Sequence, residues 1–106
     1  MKNYLVTGAS RGIGFELCKQ LLQREEAEVS TIVALSRSLS SQLEQLIKGS
    51  NGRLVHVACE VDNVTSVEEA VSKVKTELKN GALDVLVNNV GVSIVIVFLG
   101  LKELTV

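Results

Sequence analysis

Short, nearly unbroken apolar runs alternate along the chain with longer stretches whose apolar residues recur every three or four positions, a pattern that predicts alternating strands and helices. "YLVTG", Tyr4 to Gly8, reads as a first strand. A helix is predicted from Gly12 to Glu26, with Ile13, Leu17 and Leu21 on one stripe and Phe15, Cys18 and Leu22 beside it. "VSTIVALS" is almost entirely apolar or β-branched, as befits a strand buried on both faces. Ser41-x-x-Glu44 has the form of a capping box for a short helix on which Leu39, Leu43, Leu46 and Ile47 share a face, and Gly49 can close it. Asn51-Gly52 then turns the chain into a third strand, "RLVHVACEV". Thr65-x-x-Glu68 or Ser66-x-x-Glu69 caps a third helix that buries Val67, Ala70, Val71, Val74 and Leu78. Asn80-Gly81 ends that helix, and "LDVLVNN" is the fourth strand. Glu69 and Lys73, four residues apart, belong to the solvated face of the third helix.

Strands joined by helical crossovers imply an α/β fold of Rossmann type. The expected architecture has three layers: a four-stranded parallel sheet, half of a doubly wound fold, with three crossover helices and an apolar C-terminal tail. Residues 1–91 form the nucleotide-binding half-domain in this reading, and residues 92–106 an atypical hydrophobic tail. Left as the last strand, "LDVLVNN" presents an edge open to self-association or to pairing with another chain. "VSIVIVFL" in the tail, uncharged and rich in β-branched residues, could pair there as a fifth strand or act as an aggregation hazard.

Composition narrows this picture in a few respects. Aromatic residues make up only 3% of the chain against 46% apolar residues in all, so the core must be built of Val, Leu, Ile and Ala. The net charge of -1 arises from 11 basic and 12 acidic residues spread along the chain, which excludes a nucleic-acid footprint. Cys18 and Cys59 stand far apart and form no Cys-x-x-Cys pair, so no metal site or disulfide framework is expected. "MKNYLVTG" lacks the apolar length of a signal peptide, and Val92 to Leu99 falls well short of the roughly 20 residues that span a bilayer. A cytoplasmic protein with no membrane partner is expected, and the sequon Asn63-Val64-Thr65 then marks only a helix start.

The candidate chemistry sits at the carboxyl ends of the strands. "TGASRGIG", Thr7 to Gly14, lies where the first strand passes into the first helix, and its glycines have separate tasks. Gly8 permits a tight turn, Gly12 lets backbone approach a pyrophosphate, and Gly14 lets the helix pack close to the sheet. The helix start then offers unpaired N–H groups to the phosphates.

The spacing Gly-x-x-x-Gly-x-Gly after Thr7 resembles the short-chain dehydrogenase/reductase superfamily, and "LDVLVNNVG" resembles that family's Asn-Asn-Ala-Gly motif with Val90 in place of Ala. The stretch "ASRGIGFELCKQLL" further resembles the carbonyl-reductase and C-factor-like members. The resemblance covers residues 1 to about 91, the N-terminal portion of such a protein. It implies an NAD(P)-dependent oxidoreductase that moves a hydride between carbonyl and alcohol. Within the glycine turn it implies cofactor-binding positions at Thr7, Gly8, Ser10, Arg11, Gly12, Ile13 and Gly14. Glu60 and Val61 match its Asp-Val adenine contact with Glu in place of Asp, while Asn88 and Gly91 belong to the second motif.

At the end of the second strand an acid would accept hydrogen bonds from a free ribose 2′-hydroxyl, whereas an arginine would pair with a 2′-phosphate. "ALSRS" places Ser36 where the acid would stand and Arg37 beside it, which favours NADP over NAD. The resemblance lets Arg11 share that phosphate. His56, within the third strand, reads as a packed or edge histidine rather than a catalytic one.

The family's proton donor is a Tyr-x-x-x-Lys pair with a serine upstream. The sole tyrosine, Tyr4, lies in the first strand, no Tyr-x-x-x-Lys occurs in the 106 residues, and Ser93 comes too early to be that serine. The expectation is a truncated reductase that carries the cofactor-binding portion and is inactive alone. The alternative is a non-catalytic NADP(H)-binding or interaction module that pairs with a full-length relative.

Overall fold

The structure is a computed structural model, and it describes residues 2–60, 62–78 and 82–89. The sequence readings for Val61, for the helix stop at Asn80-Gly81, for Gly91 and for the tail 92–106 fall outside the described residues.

Seven elements follow in the expected order: β1 (Lys2–Thr7), α1 (Gly12–Leu22), β2 (Val29–Ser36), α2 (Ser41–Lys48), β3 (Leu54–Ala58), α3 (Val64–Glu77) and β4 (Val85–Val87). The strands form one sheet in the order β3-β2-β1-β4, and every pairing is parallel. β2 is buried along its whole length, as its unbroken apolar run requires. Alternate residues of the central strands face opposite layers. Leu5, Val33 and Leu35 pack with Val67, Ala70, Val74 and Leu78 of α3 and its C-cap. Val6, Ile32 and Ala34 pack on the other face with Cys18 of α1 and Leu43 of α2. Burying side chains such as Leu5, Ile32 and Leu54 contributes about 1.5–3 kcal/mol each.

β4 pairs with β1 over three residues only, and polar groups hold it at both ends. At its start, the Asn3 N–H donates to Asp84 Oδ2 at 2.7 Å, Asn3 Nδ2 donates to the Ala82 carbonyl at 2.8 Å, and Asp84 N–H donates to the Asn3 carbonyl at 3.0 Å. At its far end the Asn89 N–H donates to Thr7 Oγ1 at 2.7 Å. Each such bond is worth about 1 kcal/mol net, so the latches contribute at least as much to placing β4 as its short ladder does.

Several local readings are corrected. α1 ends at Leu22 rather than Glu26, because the Gln-Arg-Glu-Glu run after it offers no apolar face to bury. The Arg53 guanidinium terminates the helix from outside by donating to the carbonyls of Leu22 at 3.1 Å and Arg24 at 2.9 Å. The cap of α2 is Ser40, whose Oγ accepts the Leu43 N–H, not Ser41. Leu39 therefore precedes the helix and is exposed. The cap of α3 is Asn63, accepting from the Ser66 N–H, rather than Thr65 or Ser66. Ile13, assigned to the buried stripe of α1, is 79% exposed. Its position in the first turn points it away from the sheet, while Cys18 takes the buried place.

Candidate functional site

Strand order reverses between β1 and β4, and in open α/β sheets such a point marks the ligand crevice at the strands' carboxyl ends. A cleft of about 1040 Å³ opens there, lined by the glycine turn, the end of β2, the start of α2 and the segment after β3. Gly8, Ser10, Arg11, Gly12 and Ile13 line it from the turn, and Ser36, Arg37 and Glu60 from the strand ends.

The turn has the geometry its glycines suggest. Gly8 and Gly12 hold φ of +64° and +62°, in the left-handed region that an L side chain resists. A Cβ on Gly12 would meet nothing within 4 Å, so that side is open space, whereas a Cβ on Gly14 would lie 2.3 Å from the Gly8 carbonyl oxygen. Gly14 is thus the contact at which α1 rests on the turn. α2 and α3 both begin with a side-chain cap, but Arg11 makes none for α1, and the first turn of α1 holds no acidic residue. Its first N–H groups and the positive end of its dipole are therefore left for an anion from the cleft.

The opposite wall is tied to the turn. Ser40 Oγ donates to the Ser10 carbonyl at 2.7 Å while also capping α2, and Gln42 Nε2 donates to the same carbonyl at 3.3 Å. The Ala9 N–H donates to the Leu35 carbonyl at 3.3 Å. Arg37 lies exposed on the rim three residues before Ser40. Ser36, nearly buried, donates its hydroxyl to the Ser38 carbonyl at 2.8 Å and lies 2.9 Å from His56 Nε2. Burial lowers the His56 pKa, opposed by a hydrogen bond to the Ser36 backbone.

Three of the sequence-derived positions stand back from the cleft. Thr7 is fully buried, and its hydroxyl belongs to the latch on β4. Gly14 lies beneath the turn. Asn88 is exposed after β4 with its Oδ1 3.5 Å from Thr7 Oγ1, and the neighbouring Asn89 lines the cleft in its place. Sequence reasoning missed Ser40, Gln42, Asp62 and Asn89. Only Ser40 carried a signal: it stands three residues before the Leu43 whose N–H it caps.

Cys59 also reaches the cleft wall but is 3% exposed. Burial raises the pKa of both thiols, that of Cys18 to about 12. For Cys59 the Ser66 side chain opposes the rise and the Glu60 charge adds to it. Because the thiolate is the reactive form, both cysteines are expected to resist a disulfide reagent at pH 7.5 in the folded chain and to react promptly in urea. Prompt modification without denaturant would contradict the burial seen here.

Among the described residues no group of His, Cys, Asp and Glu could hold a metal ion, and no helix is long and apolar enough to cross a membrane. A parallel sheet with a glycine turn and an uncapped helix start at its reversal point defines an α/β protein of the dinucleotide-binding type. The chain belongs to the short chain dehydrogenase family, which matches it over residues 2–105. That match runs on past Gly91, where the motifs alone carried no resemblance.

Members of the family bind NAD(P) cofactors. The chain is 40% identical over 91 residues to (-)-isopiperitenone reductase of Mentha piperita, covering 84% of this chain and 28% of the reductase. It superimposes with a TM-score of 0.70 on an NADPH-bound carbonyl reductase from chicken fatty liver, at 31% identity, covering 87% of this chain and 37% of the other. A 3-oxoacyl-[acyl-carrier protein] reductase from Brucella melitensis in complex with NAD gives 0.67 at 27% identity, over 85% of this chain and 33% of the other. The chain thus spans about a third of the length of these proteins.

Proposed function

We propose that this chain is the cofactor-binding portion of an NADP-dependent short-chain oxidoreductase, and that it binds NADP(H) without turning over a substrate by itself. The observation that carries this reading is the pairing, across one cleft, of an uncapped glycine turn with Arg37 at the end of β2. The first suits a pyrophosphate. The second supplies a forked donor where an acid would otherwise prefer a free 2′-hydroxyl.

Gly12 leaves room for backbone to meet the pyrophosphate, and Ser10 and Arg11 flank the same space. Arg11 and Arg37 are both exposed on the rim and give a 2′-phosphate two cationic partners. Glu60 lines the cleft, and by the family resemblance Glu60 and Val61 correspond to the adenine contact. By the family resemblance Asn88 and Gly91 belong to the second cofactor-binding motif. The bound cofactor supplies the hydride. Protonating the substrate oxygen requires a donor of suitable pKa beside it, and the 106 residues contain no Tyr-x-x-x-Lys pair to provide one.

Fluorescence titration of the chain tests the reading. NADPH is expected to bind at least about tenfold more tightly than NADH, the equivalent of one to two charge-assisted hydrogen bonds, with no carbonyl reduction by the chain alone. Equal affinities would remove the NADP assignment, and turnover would remove the claim of inactivity.

A further inference from the structure

Ser36 Oγ has two close polar neighbours, the Ser38 carbonyl and His56 Nε2. Ser36 Oγ lies 2.8 Å from the Ser38 carbonyl oxygen, and a carbonyl can only accept, so the single hydroxyl hydrogen of Ser36 is committed to that bond. Both contacts are satisfied together only when the 2.9 Å contact with His56 runs the other way, with Nε2–H donating to Ser36 Oγ. His56 stands on the outer strand β3, in register with Ala34 and diagonal to Ser36 on the same face of the sheet.

From this chain of bonds we infer that His56 is a positioning residue for cofactor selection: acting through Ser36, it holds the turn that presents Arg37 to the cleft. The inference rests on the proposed NADP(H) reading. Arg37 sits between two anchors. On one side Ser36 folds the turn back onto Ser38. On the other Ser40 fastens the start of α2 to the Ser10 carbonyl. The His56 donor holds the Ser36 hydroxyl in the rotamer that closes the first anchor. Without that donor only the bond to the Ser38 carbonyl holds the hydroxyl, and the approach of Arg37 to a 2′-phosphate is fixed less firmly. The pyrophosphate end of the cleft, built by the glycine turn, does not depend on His56. Losing the donor should therefore weaken NADPH selectively.

The test uses the full chain with His56→Leu, which removes the donor, and His56→Gln, whose amide can replace it. His56→Leu is expected to weaken NADPH about fivefold, the loss of one hydrogen bond, and NADH by less than about twofold. His56→Gln should restore most of the NADPH affinity. An equal loss for both cofactors, or no recovery with Gln, would overturn the inference and leave His56 a purely structural residue. A second measurement needs no cofactor. Long-range ¹H–¹⁵N NMR of the wild-type chain at neutral pH should find the His56 proton on Nε2, and His56→Leu should shift the Arg37 and Ser38 amide signals. A proton on Nδ1, or unshifted amides, would overturn the inference even if the chain bound no nucleotide. Failure of wild-type NADPH binding with both NMR results intact would defeat only the proposed function.

Discussion

Replacing Gly14 with alanine is expected to destabilise the chain by about 2 kcal/mol, although alanine is the better helix former. Within a helix the exchange gains about 1 kcal/mol of propensity. The new Cβ, however, would lie 2.3 Å from the Gly8 carbonyl oxygen and 3.1 Å from the Ala9 Cα. These are backbone atoms with no rotamer to change, so either α1 lifts from the turn or the turn distorts, at a cost of about 3 kcal/mol. Gly12→Ala supplies the contrast: it meets nothing within 4 Å and bears only the strain of its +62° φ, about 1 kcal/mol. Urea denaturation of both variants, read at the midpoint, checks the order. A Gly14→Ala midpoint equal to or above that of the wild type would mean that the contact with Gly8 is not tight.

Arg37→Glu is expected to weaken NADPH by about 100-fold and to leave NADH unchanged or slightly tighter, inverting the cofactor preference. Charge-assisted hydrogen bonds are worth about 1.5–3 kcal/mol. The substituted carboxylate also repels a 2′-phosphate while offering an acceptor to a free 2′-hydroxyl. Arg37 is exposed, so the effect should shrink as salt rises. Parallel NADPH and NADH titrations at low and physiological ionic strength make the measurement. An unchanged affinity ratio would reduce Arg37 to a solvated loop residue and move the weight to Arg11.

These variants probe features of unequal legibility. The glycine turn could be read directly, because its requirements are those of the local backbone: positive φ at Gly8 and Gly12, and the absence of a side chain at Gly14. The buried stripe of α3 was equally plain, since Val67, Ala70 and Val74 recur at helical spacing and all face the sheet. Ile13 fits the same kind of stripe on α1 and yet is exposed. Periodicity identifies a face but does not say where the sheet beneath it stops. Capping boxes beginning at Ser41, Thr65 and Ser66 have stronger patterns than the actual caps Ser40 and Asn63. For Ser40, what decides is the reach to the Ser10 carbonyl, 30 residues away in sequence.

By itself the sequence determined the order of strands and helices, the position of the glycine turn and the arginine that follows β2, because each depends on residues close together in the chain. The tertiary structure alone decided what those elements meet. Arg53 stops α1 from across the fold, Thr7 turns from the cleft to latch β4, and His56 reaches back to Ser36. The physical reason is common to all three. A hydrogen bond is set by distance and direction in space, and parallel strands bring together donors and acceptors that lie 20 or more residues apart.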